Sequence, residues 1–460
     1  MKARTGGAIA VFLLASCTTP STVATATEGS STTSQPTTTS SVSGFLSPSQ
    51  VFAAISPALA FIETSIGTGS GILMEGGKLL TNAHVVWPYA KARVVFPDGT
   101  ELIDAPVVAW DVMGDFAVLD VSAAGRLPDP APFGNGESES IGTELFLIGY
   151  PAEVERFPQP TLTSGVLSRI RTWDAIDMTY LQTDAVIAGG QSGGALVSNH
   201  GEVVGISGLL FAEGFALAAS APDVLPRIRA ALSGETLDGL DARLLAGSGA
   251  PATEAEVELA NFMDEATWVF SAAVGEDISF TADSRGDVAL AVVSTDGFVE
   301  LSVDDSETDL ETGSFEVVVG APHVISVTVI STRRETAKVA SDVPFQTFVD
   351  PDHGRSIAPG ESITANIDYP FDVDYFLLTL TAGQTVTVEV DTMNFDADLV
   401  IDRADNAGDL LASDDDTGGG VMGWDPLITY SADVSSTYLI GVFDQSGIGP
   451  GGYFLRVSAD

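Results

Sequence analysis

Along most of this chain apolar residues recur in short runs with a two-residue rhythm, broken by Gly, Pro and Asp, and that rhythm predicts strands rather than helices. Between residues 45 and 232 the runs include ARVVF (92–96), PVVAW (106–110), FAVLDV (116–121), ELFLIGY (144–150) and VVGISGLL (203–210). Their spacing suits β-barrels. Residues 233–262 interrupt the rhythm and read as a linker, with a short helix expected near Glu254–Phe262. An internal repeat follows: WVFSAAVGEDISFTA (268–282) aligns with YFLLTLTAGQTVTVEV (375–390), and VALAVVSTDGFVELSVDD (288–305) with ADLVIDRADNAGDLLASDDD (397–416). Two β-sandwich modules are therefore expected, over residues 263–335 and 345–460. The predicted fold class is all-β: a double β-barrel followed by two β-sandwich, jelly-roll-like domains.

The first 44 residues follow a different rule. MKARTGG, AIAVFLLA and SC give a basic start, a short apolar run and small residues, the pattern of an export signal over residues 1–17. Cys17 is the sole cysteine and follows Leu14, Ala15 and Ser16, a stretch that resembles the bacterial lipoprotein cleavage box. The resemblance implies that Cys17 is lipidated and becomes the mature N-terminus, placing the chain on the outer face of a bacterial membrane, at the cell surface or in the periplasm. Plain secretion is the alternative. With Cys17 so used, no disulfide forms within one chain. Residues 18–44, almost entirely Ser, Thr, Ala, Gly and Pro, lack the apolar residues for a core and read as a disordered tether.

Charge narrows the partners. Against 63 acidic residues stand 19 basic ones, a formal charge of −44, which repels phosphates and argues against any nucleic-acid partner. Such a hydrated surface suits salty surroundings, or simply solubility.

The candidate chemistry lies in GGQSGGAL (189–196). A serine hydroxyl is a poor nucleophile near neutral pH and needs a base, a group orienting that base, and donors for the developing oxyanion. Glycines let backbone N–H groups converge on one spot. LLTNAHVV places His84 after an apolar strand and GDFAVLDV places Asp115 before another, in the order His, Asp, Ser, with separations of 31 (84 to 115) and 77 (115 to 192) residues. Together with SPALAFIETSIGTGSGILM, TLTSGVLSRI, LQTDAVIAGGQSGGALVSNHGEVVGI and GFALAAS, these segments resemble the trypsin-like serine proteases of the chymotrypsin fold, in particular the HtrA (Deg) branch, over about residues 50–231.

The resemblance implies a chymotrypsin-like double barrel over residues 45–232 and a serine endopeptidase acting on proteins or peptides without any cofactor. It implies Ser192 as nucleophile, His84 as general base and then acid, Asp115 as its orienter, and the N–H groups of Gly190 and Ser192 as the oxyanion hole. It also places Val186, followed by Ile187, at the base of the primary pocket, with Ser207–Leu210 (including Leu209 and Leu210) and Phe215–Leu217 as walls. A small to medium apolar P1 residue is expected. The rival reading is a catalytically silent, lipid-anchored surface binding protein working through its sandwiches; an intact His84, Asp115 and Ser192 set argues against it. Oligomeric state is left open.

The HtrA branch usually carries PDZ domains after the protease, and residues 233–460 show none of their carboxylate-loop pattern. The second repeat, with DVDYF and AGQTV, resembles instead the bacterial pre-peptidase C-terminal (PPC) domain, and the first copy a degenerate relative. That family implies a targeting role and, in some members, calcium. Asp374, Asp396, Asp398 and Asp414 are the candidate ligands, among hard oxygen donors that also include Asp372, Asp415 and Asp416. The histidines at 84, 200, 323 and 353 lack metal-ligand spacing, so no zinc is expected.

Overall fold

A computed structural model describes residues 44–459, apart from 66, 153–157, 212–214, 305–309, 331–334, 405–409 and 448, and describes no side chains at 209–211. The export signal, Cys17 and nearly all of the tether lie outside the described residues. None of the described helices is long and apolar enough to cross a membrane.

Two closed six-stranded barrels come first. The first joins Leu59–Glu63, Thr68–Met74, Lys78–Thr81, Phe116–Asp120, Glu101–Asp111 and Lys91–Val95; the second joins Ala195–Ser198, Val203–Phe211, Phe215–Ser220, Met178–Thr183, Thr161–Trp173 and Glu144–Gly149. Closure leaves no exposed sheet edge to cap. Some of the runs read as strands are buried on both faces, as at Phe116, Ala117, Val118 and Leu119.

The helix Ala221–Leu232 packs on the first barrel through Ala221, Val224, Ile228 and Ala231, three and four residues apart. Its Arg227 forks onto Asp111, with Nε and Nη2 at 2.6 and 2.8 Å from the two carboxylate oxygens. Asp111 is wholly buried. Arg227→Leu therefore strands a buried carboxylate, and we expect a loss of about 3–5 kcal/mol, seen as a fall of roughly 10 °C in the barrel transition. A thermal scan in which Arg227→Leu melts with the wild type contradicts this.

Beyond the barrels the chain stays β. In place of the helix expected near Glu254–Phe262, the structure has the strand Ser248–Leu259, antiparallel to Glu335–Phe348 with Leu259 opposite Glu335. Glu and Ala favour helices by propensity, yet the period in EAEVEL is two: Glu254, Glu256 and Glu258 are exposed, while Ala255 and Val257 are half-buried and Leu259 is buried. The first sandwich thus spans residues 248–348, beginning inside the expected linker.

The sequence repeat reappears as topology. In the second sandwich Val373–Leu380, Ser436–Asp444, Ala397–Arg403 and Ala412–Asp414 are neighbours in one sheet, and Glu361–Ile367, Gly451–Ala459, Thr385–Asp391 and Leu427–Ser431 in the other. The first has the same order twice, Glu265–Phe270, His323–Val329, Val288–Ser294, Val299–Val303 and then Ser248–Leu259, Glu335–Phe348, Asp277–Asp283, Leu310–Glu316, fused into one sheet where Glu265–Phe270 pairs with Glu335–Phe348.

From Leu46 onward the chain forms one unit, and the second sandwich is packed on the barrels. Trp173 donates through Nε1 to Asp391 at 2.5 Å and meets the Phe454 ring edge-on. Arg171 donates to the Val421 carbonyl, Asn394 to the Met113 carbonyl, and Met393 and Met422 join the barrel core.

Candidate active site

His84 lies on the single turn Ala83–Val86, directly after the strand Lys78–Thr81. Asp115 occupies the tight turn between Glu101–Asp111 and Phe116–Asp120, with φ at +60°, a region aspartate tolerates better than most residues. The two turns are tied together. Ala83 N–H and Asn82 Nδ2 both donate to the Asp115 carbonyl at 3.0 Å. His84 N–H donates to Asp115 Oδ1 at 2.9 Å, and its Nδ1 lies 2.7 Å from Oδ2. A carboxylate on Nδ1 fixes the ring and leaves Nε2 to exchange protons elsewhere. Burial alone would lower the His84 pKa, but the charge and hydrogen bond of Asp115 outweigh it and hold the imidazole above its usual 6.5.

Ser192 sits in the turn leading into Ala195–Ser198, and the glycines around it answer for its shape. Gly190 and Gly193 have φ of +87° and +79°, and a Cβ on Gly193 would lie 2.1 Å from the Ser70 carbonyl oxygen. Side-chain hydroxyls pin the loop from behind. Ser70 Oγ donates to the Gly190 carbonyl at 2.9 Å, Ser207 Oγ to the Gln191 carbonyl at 2.7 Å, and Ser70 N–H to the Ser192 carbonyl at 2.7 Å. Ser70 is itself fixed, accepting from Tyr150 N–H through Oγ and from Thr81 Oγ1 through its carbonyl. With those carbonyls turned back, the N–H groups of Gly190 and Ser192 have no protein acceptor among the described residues.

His84 and Ser192 line one cavity of about 460 Å³, whose far walls come from the sandwiches: Thr295 and Asp296 of the first, Phe395, Asp444 and Pro450 of the second. Among the described contacts no hydrogen bond joins Ser192 Oγ to the imidazole, and such bonds in free enzymes often form only with substrate.

Other expected positions move. Val186 is 67% exposed, with Thr163 Oγ1 donating to its carbonyl, while Ala185 beside it is buried. Ile187 packs against the core of the second barrel. Phe215 is half-buried at a strand end opposite Phe211, and the side chains of Leu209 and Leu210 lie outside the described residues.

The expected calcium ligands do not form one group. Asp414 serves its own turn, accepting from Thr417 and Leu427 N–H. Asp396 and Asp398 are pushed up to about 6 by partial burial and by the neighbouring acids Asp415, Asp416 and Asp444. Asp374 is wholly buried elsewhere. Strand geometry is the reason: Asp374 pairs with Val442 and Asp398 with Phe443, adjacent residues whose side chains take opposite faces.

Asn82, Ser70 and Thr81 escaped the sequence reading, and Ser207, taken as a pocket wall, holds the loop. Only the glycine alternation of GTGSG (67–71) hinted at a close backbone approach near Ser70.

Two barrels meeting at a His, Asp and Ser constellation define a chymotrypsin-like architecture, and residues 69–206 match the family model described as a trypsin-like peptidase domain. The barrel pair thus carries a trypsin-like, serine-type peptidase domain. The chain is 37% identical over 163 residues to Serine protease HTRA1 of Xenopus laevis, covering 34% of this chain and 34% of that protein. It is 37% identical over 147 residues to Serine endoprotease DegS of Escherichia coli K12, covering 31% and 40%. Among solved structures, the HtrA-type protease AlgW with a tripeptide is 30% identical, with a TM-score of 0.38 over 41% of this chain and 65% of that one. The chain thus spans only about a third to two fifths of the curated relatives' length.

Proposed function

We propose that the protein is an extracytoplasmic serine endopeptidase that cleaves peptide bonds through an acyl-enzyme. The observation that carries this is His84, held by both oxygens of one carboxylate, opening onto the same cavity as Ser192. Ser192 Oγ attacks the scissile carbonyl as His84 Nε2 takes its proton. The resulting oxyanion faces the Gly190 and Ser192 N–H groups, and His84 returns the proton to the leaving amine. Water then repeats the sequence on the acyl-serine, releasing the acid and restoring the hydroxyl. Because both sandwiches wall the cavity, substrates enter as extended segments, and the small to medium apolar P1 preference is the one that the resemblance implies. Export, lipid anchoring at Cys17 and a PPC-like positioning role for the sandwiches complete the reading.

The test is a fluorophosphonate probe on the purified protein, with the adduct mapped by mass spectrometry: modification of Ser192 supports the reading, and a folded sample left unmodified at Ser192 refutes it. Ser70→Ala probes the loop behind the oxyanion hole. Losing one donor to the Gly190 carbonyl loosens the hole without removing it, so kcat is expected to fall by about tenfold, well short of the 10²–10³ cost of deleting an oxyanion donor, with KM little changed in steady-state kinetics.

A further inference from the structure

A heavily charged buried place among the described residues lies where the linker, the strand-end acids Asp350 and Asp352, and the turn 367–374 of the second sandwich meet. Asp350, Asp352, Asp368, Asp372 and Asp374 gather there. Arg243 reaches Asp368 Oδ1 at 2.9 Å and Asp352 Oδ2 at 2.6 Å, and Arg355 reaches Asp352 Oδ1 at 2.7 Å. Two guanidinium groups against five carboxylates leave an excess of negative charge that a low-dielectric interior does not tolerate.

The hydrogen bonding shows where that excess points. In four of the acids one oxygen is bound and the other is not. Asp350 Oδ1 accepts from Asp352 N–H, Asp368 Oδ1 from Arg243, Asp372 Oδ2 from Asp368 N–H, and Asp374 Oδ2 from the Tyr453 hydroxyl. Asp350 Oδ2, Asp368 Oδ2, Asp372 Oδ1 and Asp374 Oδ1 are buried without a partner among the described residues, on side chains of which Asp368, Asp372 and Asp374 are 0–1% exposed. Ligand oxygens of Asp350, Asp368 and Asp372 lie within 4.8 Å of one another. Three carboxylates that approach this closely, each with one buried oxygen lacking a partner among the described residues, make an incomplete coordination shell, since buried polar atoms otherwise find partners.

We infer that Asp350, Asp368 and Asp372 form a site for a hard divalent cation of the calcium type, with Asp374 adding charge beside them. All-oxygen donors exclude soft metals, and a flexible set of carboxylates from loop and turn suits calcium better than the strict octahedron magnesium demands. This set fits where Asp374, Asp396, Asp398 and Asp414 do not.

The position gives the ion a structural consequence. Asp350 follows the last strand of the first sandwich, Asp368 and Asp372 belong to the second, and Asp368 and Pro370 also wall the cavity that holds His84 and Ser192, so the cation ties the two sandwiches together beside that cavity. The site stands whether or not Ser192 turns over peptides.

The experiment strips the full-length protein with chelator and titrates it with calcium chloride, by calorimetry and by thermal unfolding, with terbium luminescence excited through Tyr453 and Tyr369 as a local readout. One equivalent bound at this site, a rise of several degrees in the unfolding midpoint, and loss of both in Asp372→Asn are expected. A double variant, Asp415→Asn with Asp416→Asn in the more exposed acidic group, is expected to keep them. If Asp372→Asn fails to fold, the wild type and the double variant decide together with terbium. No calcium heat and no shift in the wild type overturns the site, as does a response that survives Asp372→Asn or vanishes in the double variant.

Discussion

Ser192→Ala is expected to lower kcat/KM for peptide hydrolysis by about 10⁶-fold, the scale on which removing a triad nucleophile acts in serine proteases. Nothing else in the fold should change. The Ser192 hydroxyl takes no hydrogen bond among the described residues, and the loop is held through carbonyls and glycine conformations that alanine at 192 leaves alone. The unfolding midpoint should therefore match the wild type while fluorophosphonate labelling disappears. Steady-state kinetics decide the matter, and a variant that keeps more than about a hundredth of wild-type activity would place the chemistry on another residue.

Asp115→Asn is the second large effect, at about 10⁴-fold in kcat. Asparagine tolerates the φ of +60° at this turn, and its carbonyl can still accept from His84 N–H, so the backbone tie survives. Its amide then faces Nδ1 as a donor. The ring must turn its proton to Nε2, where it cannot accept from Ser192. The pH profile separates this from a folding defect. In the wild type His84 is held above 6.5 and works as a base only when neutral, so activity rises as pH climbs through that raised value. The same sign governs stability: the ion pair contributes fully below the unfolded-state pKa, and its contribution is lost as pH rises through the folded one. Without Asp115 only burial acts on the ring, so the rising limb of kcat against pH should move below 6.5. A limb that stays in place means that Asp115 does not set the charge of His84.

How far the sequence carries is clearest at single residues. His84, Asp115 and Ser192 stood out because each lies in a short motif beside an apolar strand, and their order along the chain is local information. Val186, expected at a pocket base, is largely exposed, and a position counted six residues before a serine says nothing about which way its side chain turns. Ser70 could not have been placed at all: its hydroxyl serves a carbonyl 120 residues away, a contact created only when the two barrels come together. In the same way EAEVEL displayed its period of two openly, and the error of expecting a helix there came from weighing residue propensity above pattern.

The sequence by itself determined the strands, the repeat that unfolds into two sandwiches of matching strand order, and the histidine, aspartate and serine motifs from which a triad is proposed. Tertiary structure alone decided which carboxylates share a space, which N–H groups are left facing the cavity, and that two sandwich modules form the far walls of the cavity. The reason is physical: alternation and turn chemistry act over a few residues, whereas burial, charge crowding and hydrogen-bond satisfaction depend on which distant segments the closing barrels and docked sheets bring together.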